Sequence, residues 1–218
     1  MAQFSIKNIF PEDHSSSYVV EAARVDGERE LARLATTSKY EYAWEYDENQ
    51  SLWRHLPAHH HSRNRRQFLF LGKVVGQRMG LALVDWPPTP SSDNSTFYHT
   101  HPLRNYYKMR RNKNAASFSV QSQLPSSEDV KSSVIFSRDG FKDSRIVTAL
   151  GVTSLALNLE MAWESGKFEV KLPGFAFSVE ELAAQAKQNG AIDTIQNVFG
   201  QINSTYEGKL ILGFSAFD

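Results

Sequence analysis

Two histidines that lie two positions apart, His99 and His101, are the side chains whose type and spacing point most directly to chemistry. On a β-strand, residues two apart face the same side, so one metal ion can bridge both imidazoles. Pro102 follows the pair and favours the end of the strand, because proline has no N–H to donate to a neighbouring strand. The pattern predicts part of a metal site at the end of a short strand over 96–100.

A carboxylate at the start of a later helix offers the third ligand. Pro125 and Ser126 are typical of a helix N-terminus, and Asp129 follows one turn into that helix. Three protein ligands with a fourth position open for water are the arrangement of a catalytic zinc. The sequence therefore predicts a divalent metal site, with zinc as the expected ion, held by His99, His101 and Asp129.

The absence of cysteine narrows the chemistry further. It excludes disulfides, thiolate metal sites and a cysteine nucleophile. A site built from His, Asp, Glu and water suits zinc, whereas zinc deaminases generally use a cysteine pair. A serine hydrolase is also disfavoured, since no Gly-x-Ser-x-Gly elbow occurs.

The segments His-Thr-His-Pro at 99–102 and Ser-Ser-Glu-Asp at 126–129 together resemble the JAMM metalloprotease signature of the JAB/MPN superfamily. The resemblance covers roughly residues 15–165 and is strongest to an uncharacterised, toxin-associated bacterial branch. It implies a zinc-dependent hydrolase that cleaves a peptide or isopeptide bond in a protein substrate. Many relatives remove ubiquitin-like tags from lysine, and a toxin or effector role follows from the bacterial branch by analogy.

The resemblance also implies roles for two further residues. Ser126 corresponds to the serine that donates a hydrogen bond to the developing oxyanion, and an upstream glutamate acts as general base. Glu41 is the first choice for that base, because it lies on a predicted strand after an N-terminal helix. Glu45 shares its face of the strand and is the second choice, and a solvated strand carboxylate is the alternative interpretation for both.

Between the two motif segments lies a longer stretch than the superfamily usually carries. The polar, basic insertion over 103–124 is interpreted as a lid, with Arg104, Tyr106 and Tyr107 as candidate substrate-binding residues. A solvated loop is the main alternative, and stacking of single-stranded nucleic acid is a weaker one.

Three consecutive histidines, His59 to His61, are a rival metal site. Adjacent side chains point in different directions, so three in a row do not easily bind one ion. The polar composition of the region therefore favours an exposed loop over 55–66.

A catalytically inactive MPN-type scaffold that binds metal or protein is the competing hypothesis for the function. Relatives of that kind often lack the histidine pair or the aspartate. This chain has both, which favours catalysis over the scaffold.

The elements that must position these residues indicate an α+β fold. Periodicity predicts a helix over 15–35 with Gly27 as a candidate break, and a hairpin of strands over 40–46 and 51–55. The resemblance implies a JAB/MPN-like central, mostly antiparallel sheet flanked by helices. The predicted organisation is a tail over 1–14, a metalloprotease domain over 15–165, and a C-terminal helix-strand extension over 166–218 packed on the same domain.

Charge and hydropathy limit the partners. Lys+Arg and Asp+Glu both number 24, so the formal net charge gives no reason to expect nucleic acid or an acidic membrane as partner. Neither a bilayer-length apolar run nor a classical signal peptide is evident. The expectation is a soluble protein that is cytoplasmic or exported by a non-classical route.

Overall fold

A seven-stranded sheet forms the centre of the computed structural model, which describes residues 9–38, 40–61, 69–70, 73–74, 80–102, 120, 123–158 and 179–217. Its strands, in chain order, are β1 Val19–Glu21, β2 Ala43–Asp47, β3 Leu52–Leu56, β8 Ser95–Thr100, β9 Asp143–Val147, β10 Gly151–Leu157 and β11 Leu210–Ala216. The spatial order is β1-β3-β2-β8-β9-β10-β11, and every neighbouring pair is antiparallel except β8 and β9. The predicted α+β fold with a mostly antiparallel sheet is therefore confirmed.

Two small antiparallel pairs and four helices complete the described fold. The pairs are β4 Ala58–His61 with β7 Gly80–Leu83, and β5 Leu69–Phe70 with β6 Lys73–Val74. The helices are α1 Arg24–Thr37, α2 Ser127–Arg138, α3 Val179–Asn189 and α4 Ala191–Thr205. None of these described helices combines the length and apolar character that crossing a bilayer requires.

The alternation of side chains along β2 divides the sheet into two differently packed faces. Tyr42, Trp44 and Tyr46 join a cluster with α1 on one face. Ala43, between them in sequence, belongs to a second cluster with Phe136 of α2 on the other face. The same second face further along the sheet is covered by α3 and α4, which form a third cluster with β10 and β11. The histidine strand β8 thus has a packed layer on either side.

The N-terminal region differs from its prediction in three ways. Residues 19–21 form strand β1 on the sheet edge, and the helix begins only at Arg24. Gly27 does not break this helix: a Cβ on it would lie 2.1 Å from Cε2 of Trp53, so only glycine allows α1 to approach the sheet this closely. The predicted tail is packed where it is described, because Phe10 is buried and stacks on Trp44 with ring centroids 3.9 Å apart.

The prediction of an exposed loop over 55–66 is wrong for its first half. His55 is the buried fourth residue of β3, and 58–61 form β4. Residues Asp143–Val147 and Gly151–Leu157 form the consecutive strands β9 and β10. The described part of the C-terminal extension contributes α3, α4 and β11, and β11 pairs with β10 in the same sheet. The insertion over 103–124 falls mostly outside the described residues.

Candidate metal centre

The histidine pair lies at the end of the parallel pairing between β8 and β9. His99 is the fifth residue of β8, opposite Ala43 of β2 and Ile146 of β9. His101 lies just beyond the strand, where its backbone N–H donates to the carbonyl of Val147 at 3.0 Å. Both imidazoles are buried, with 7% and 5% of the residue exposed. Backbone hydrogen bonds to β2 on one side and to β9 on the other therefore hold the histidine pair in place.

Asp129 is held in place by the cap of helix α2. Ser126 is the N-cap, and its Oγ accepts the backbone N–H of Asp129 at 3.2 Å. The Asp129 carboxylate accepts the backbone N–H of Ser126 at 2.6 Å, which completes a capping box. The helix N-terminus also favours a negative charge at this position. The helix start predicted from Pro125 and Ser126 is thus confirmed, and it fixes the direction of the carboxylate.

Three ligand atoms converge at this point. The Nε2 atoms of His99 and His101 are 3.2 Å apart, and His99 Nε2 is also 3.2 Å from Asp129 Oδ1. His101 Nε2 lies 3.6 Å from Asp129 Oδ2. A tetrahedral ion with bonds of about 2.0–2.1 Å places neighbouring ligand atoms about 3.3 Å apart. These residues could therefore hold a metal ion, and their nitrogen and oxygen donors fit zinc.

The electrostatic state of Asp129 suits a ligand. Burial raises the pKa of its carboxyl, but hydrogen bonds and charge interactions with His101 and His99 outweigh burial and hold that pKa well below its ordinary value. The carboxylate is therefore ionised over the physiological range. Metal binding needs this anionic form, so no proton has to leave Asp129 first.

Glu41 and Glu45 have different surroundings. Glu45 is fully buried, and its carboxylate forms an ion pair with Arg54 and accepts the Ser91 backbone N–H and hydroxyl, the latter at 2.6 Å. The solvated interpretation of Glu45 is wrong, and these bonds give its carboxylate a structural use. Glu41 lies two residues before β2 and is half-buried. The register between β2 and β8 ends with Ala43 opposite His99, and Tyr42 is hydrogen-bonded to Thr100 one residue further on, so the Glu41 backbone lies one peptide bond from that contact.

Ser126 keeps a donor that its cap does not use. The cap occupies a lone pair of its Oγ, because the hydroxyl accepts the Asp129 N–H. The hydroxyl hydrogen is not consumed by that bond, so the oxyanion role expected for Ser126 is compatible with capping. Arg104, Tyr106 and Tyr107, the expected substrate-binding residues, lie outside the described part of the chain.

The side chains of the rival histidines, His59 to His61, lie outside the described part of the structure. Among the described residues, the one group of three or more histidine or acidic ligands is formed by His99, His101 and Asp129. His55 has a separate role, since its Nδ1 lies 2.6 Å from the carbonyl oxygen of Ser16. Burial lowers the pKa of His55, which favours the neutral ring as donor to that carbonyl.

Thr100 and Ser91 make two side-chain contacts that sequence reasoning missed. In the motif Thr100 is only the variable residue between two histidines, although its hydroxyl accepts the N–H of Tyr42. Ser91 lies in a segment whose composition predicts irregular structure, and nothing local shows that it bonds to Glu45. Both contacts join positions more than forty residues apart, so no short-range pattern predicts them.

Comparison with known proteins gives no match: no family model matches the chain, and neither a curated protein nor a solved structure is significantly similar to it. The proposal for the function of this protein therefore rests on the residues of the candidate centre and on the motif that they form.

Proposed function

We propose that this protein is a JAMM-type zinc hydrolase that cleaves a peptide or isopeptide bond in a protein substrate. The observation that carries the proposal is the convergence of His99, His101 and Asp129 within ligand distance of one another. Three ligands from protein leave a position for water, which distinguishes catalytic from closed structural zinc sites. The motif of the JAB/MPN superfamily supplies the reaction class.

The residues around the centre have the chemistry that such a reaction needs. A bound zinc ion would acidify a water molecule and polarise the scissile carbonyl. In this proposal Glu41 accepts the proton from the attacking water and later delivers it to the leaving amine. Ser126 donates its hydroxyl hydrogen to the oxyanion, from the cap that also fixes Asp129. One short helix start thus supplies both a ligand and a stabilising donor.

The assignment of Glu41 is supported by what Glu45 does. Glu45 already binds Arg54 and Ser91, and protonation would break these contacts. A general base has to exchange its proton in each turnover, which a carboxylate committed to a buried ion pair does poorly. Glu41 lies outside the strand predicted for it, two residues before β2, and its neighbour Tyr42 is hydrogen-bonded to Thr100 between the two histidines.

The test compares Glu41→Gln with Glu45→Gln. Both variants and the wild type are loaded with zinc and assayed on quenched fluorescent peptides and on isopeptide-linked ubiquitin-type probes. Glu41→Gln should retain zinc and lose about 10²–10⁴-fold in kcat, the usual contribution of a general base. Folded Glu45→Gln should retain most of its kcat.

Three results would count against the proposal. Loss of hydrolysis in Glu45→Gln but not in Glu41→Gln would show that Glu45, and not Glu41, is the general base. Zinc-loaded wild type without hydrolysis of any probe would favour a non-catalytic MPN-like scaffold. Hydrolysis that persists without zinc would remove the metal from the mechanism.

A further inference from the structure

Thr100, the residue between the two candidate histidine ligands, forms two hydrogen bonds with Tyr42, which lies directly before strand β2. This pair of hydrogen bonds is called the Thr100–Tyr42 joint below. The residue is fully buried. Its backbone N–H donates to the carbonyl of Tyr42 at 3.0 Å, and its side-chain Oγ1 accepts the N–H of Tyr42 at 2.9 Å. In a regular antiparallel pair the backbone carbonyl of Thr100 would accept that N–H. The Thr100 side chain therefore replaces a backbone carbonyl as the acceptor of the last hydrogen bond between β8 and Tyr42.

This joint makes the local register depend on residue type. A backbone acceptor would survive any substitution, whereas the Oγ1 acceptor exists only for threonine or serine at this position. Without it, the N–H of the buried Tyr42 would lose its partner at the point where the regular ladder ends. The segment before β2 would then be tied to β8 by one hydrogen bond instead of two.

Tyr42 is also held at its far end. Its phenol donates to the carbonyl of Glu12 at 2.8 Å, so the N-terminal segment fixes the ring while Thr100 fixes the backbone. Glu41 is joined to Tyr42 by a single peptide bond. The position of the Glu41 backbone relative to His99 and His101 is therefore set through Tyr42, and Thr100 lies in the chain directly between those two ligands.

We propose that Thr100 is a positioning residue, which acts through Tyr42 to hold Glu41 in register with the metal ligands. The inference rests on the proposed function for the role of Glu41, but the joint itself does not depend on it. Thr100 contacts neither substrate nor metal in this role. Its effect is to couple the segment that carries the base to the strand that carries the ligands, where a misplacement of about 1 Å can cost about a hundredfold in rate.

The test uses Thr100→Val, which keeps the shape and removes the acceptor, and Thr100→Ser, which restores the acceptor. Thr96→Val is the matched control, because Thr96 is a buried threonine of the same strand, opposite Tyr46 and away from the histidines. Three quantities are measured for each full-length variant: hydrogen exchange of the Tyr42 amide, zinc affinity by calorimetry, and kcat and KM on the peptide and isopeptide probes.

The proposal expects Thr100→Val to accelerate Tyr42 amide exchange by about tenfold, the size of one lost hydrogen bond. Zinc affinity should change by less than about threefold, while kcat falls by about tenfold or more and KM changes little. Thr100→Ser should recover wild-type values in all three measurements, and Thr96→Val should leave them unchanged.

Different results would contradict the existence of the Thr100–Tyr42 joint and its role in catalysis. Equal Tyr42 exchange in Thr100→Val and Thr96→Val would overturn the joint, whatever the protein does. Faster exchange with unchanged kcat, or a loss of zinc affinity as large as the loss of kcat, would overturn the positioning role. Absence of zinc from the wild type, or full hydrolysis by Glu41→Gln, would instead refute the proposed function, and the exchange data would still decide whether the joint exists.

Discussion

Glu45 shows how a buried carboxylate on the strand next to the candidate metal ligands can be structural. It is fully buried two residues from Ala43, whose strand partner is His99. Its two oxygens accept from Arg54 and from Ser91, so the charge is balanced without a metal. The residue type and the face alone do not distinguish it from Glu41. The partners that distinguish it come from distant parts of the chain.

Glu45→Gln should therefore weaken the fold rather than the chemistry. Replacement of the carboxylate removes its ion pair with Arg54 and the charge-assisted bonds from Ser91, and we expect a loss of about 1–3 kcal/mol in the free energy of unfolding. Urea denaturation of the metal-free protein measures this loss. A denaturation midpoint for Glu45→Gln equal to that of the wild type would show that the Glu45 contacts contribute little.

Asp129 gives a prediction for the pH dependence of stability. Because its two histidine partners hold the pKa of its carboxyl below the ordinary value, its ionised form stabilises the fold above the unfolded pKa of about 3.9. That stabilisation is lost as the pH falls towards the lower pKa of the folded state. Asp129→Asn cannot show this loss.

The corresponding measurement is chemical denaturation of both proteins in chelator across acidic pH. The difference in unfolding free energy between wild type and Asp129→Asn should shrink as the pH falls below about 4, towards the lowered pKa of the folded carboxyl. A difference that stays constant over the whole range would contradict the direction of the Asp129 shift.

At the scale of elements, helix α1 illustrates why periodicity located the helix but not its start. The apolar stripe ends in the buried Leu31 and Leu34, which the pattern identifies. Residues 19–21 belong to the same apparent stripe, yet they form β1 because β3 offers an edge for pairing. Gly27 looks like a break in isolation, and only the nearby Trp53 shows why glycine is required.

Gly27→Ala is the test of that packing. In an exposed helix, alanine in place of glycine favours the helix, but here the added Cβ meets the Trp53 ring at 2.1 Å. We expect a destabilisation of about 1–3 kcal/mol from overpacking, measured as a lower denaturation midpoint. Gly200→Ala in α4 is the matched control, since a Cβ there meets nothing within 4 Å. Stabilisation by both changes would refute the close approach.

The candidate site was more predictable than much of the fold that surrounds it. His99, His101 and Asp129 are joined by local rules: alternation on a strand, a proline stop and a helix cap. Those rules act over a few residues and can be read directly. The burial of His55 and the pairing of Ala58 to His61 depend on distant strands, and a polar composition gave no sign of them.

At the scale of the molecule, the candidate metal centre brings together residues from the sheet and from the helical layer. His99 and His101 belong to β8 and its end, while Asp129 belongs to α2, whose Val130 lies in the core shared with α3 and α4. A metal held by all three would link the central strand to the helical layer. The centre is therefore expected to affect stability as well as reactivity.

Zinc should raise the thermal midpoint of the wild type. A ligand that binds only the folded state adds about 2.7 kcal/mol when its concentration is about a hundred times the dissociation constant. Scanning calorimetry with zinc and with chelator measures the shift, and Asp129→Ala should abolish it. A zinc-induced shift of equal size in that variant would mean that the ion binds elsewhere.

The zinc content of the purified protein, measured by mass spectrometry of the metal, tests the metal centre most directly. Wild type should carry one zinc ion per chain, and His101→Ala should carry none. A variant with alanine at His59, His60 and His61 should keep its zinc, because those histidines are not among the proposed ligands. A wild-type protein that binds no stoichiometric zinc, or a His101→Ala variant that retains it, would contradict the metal centre.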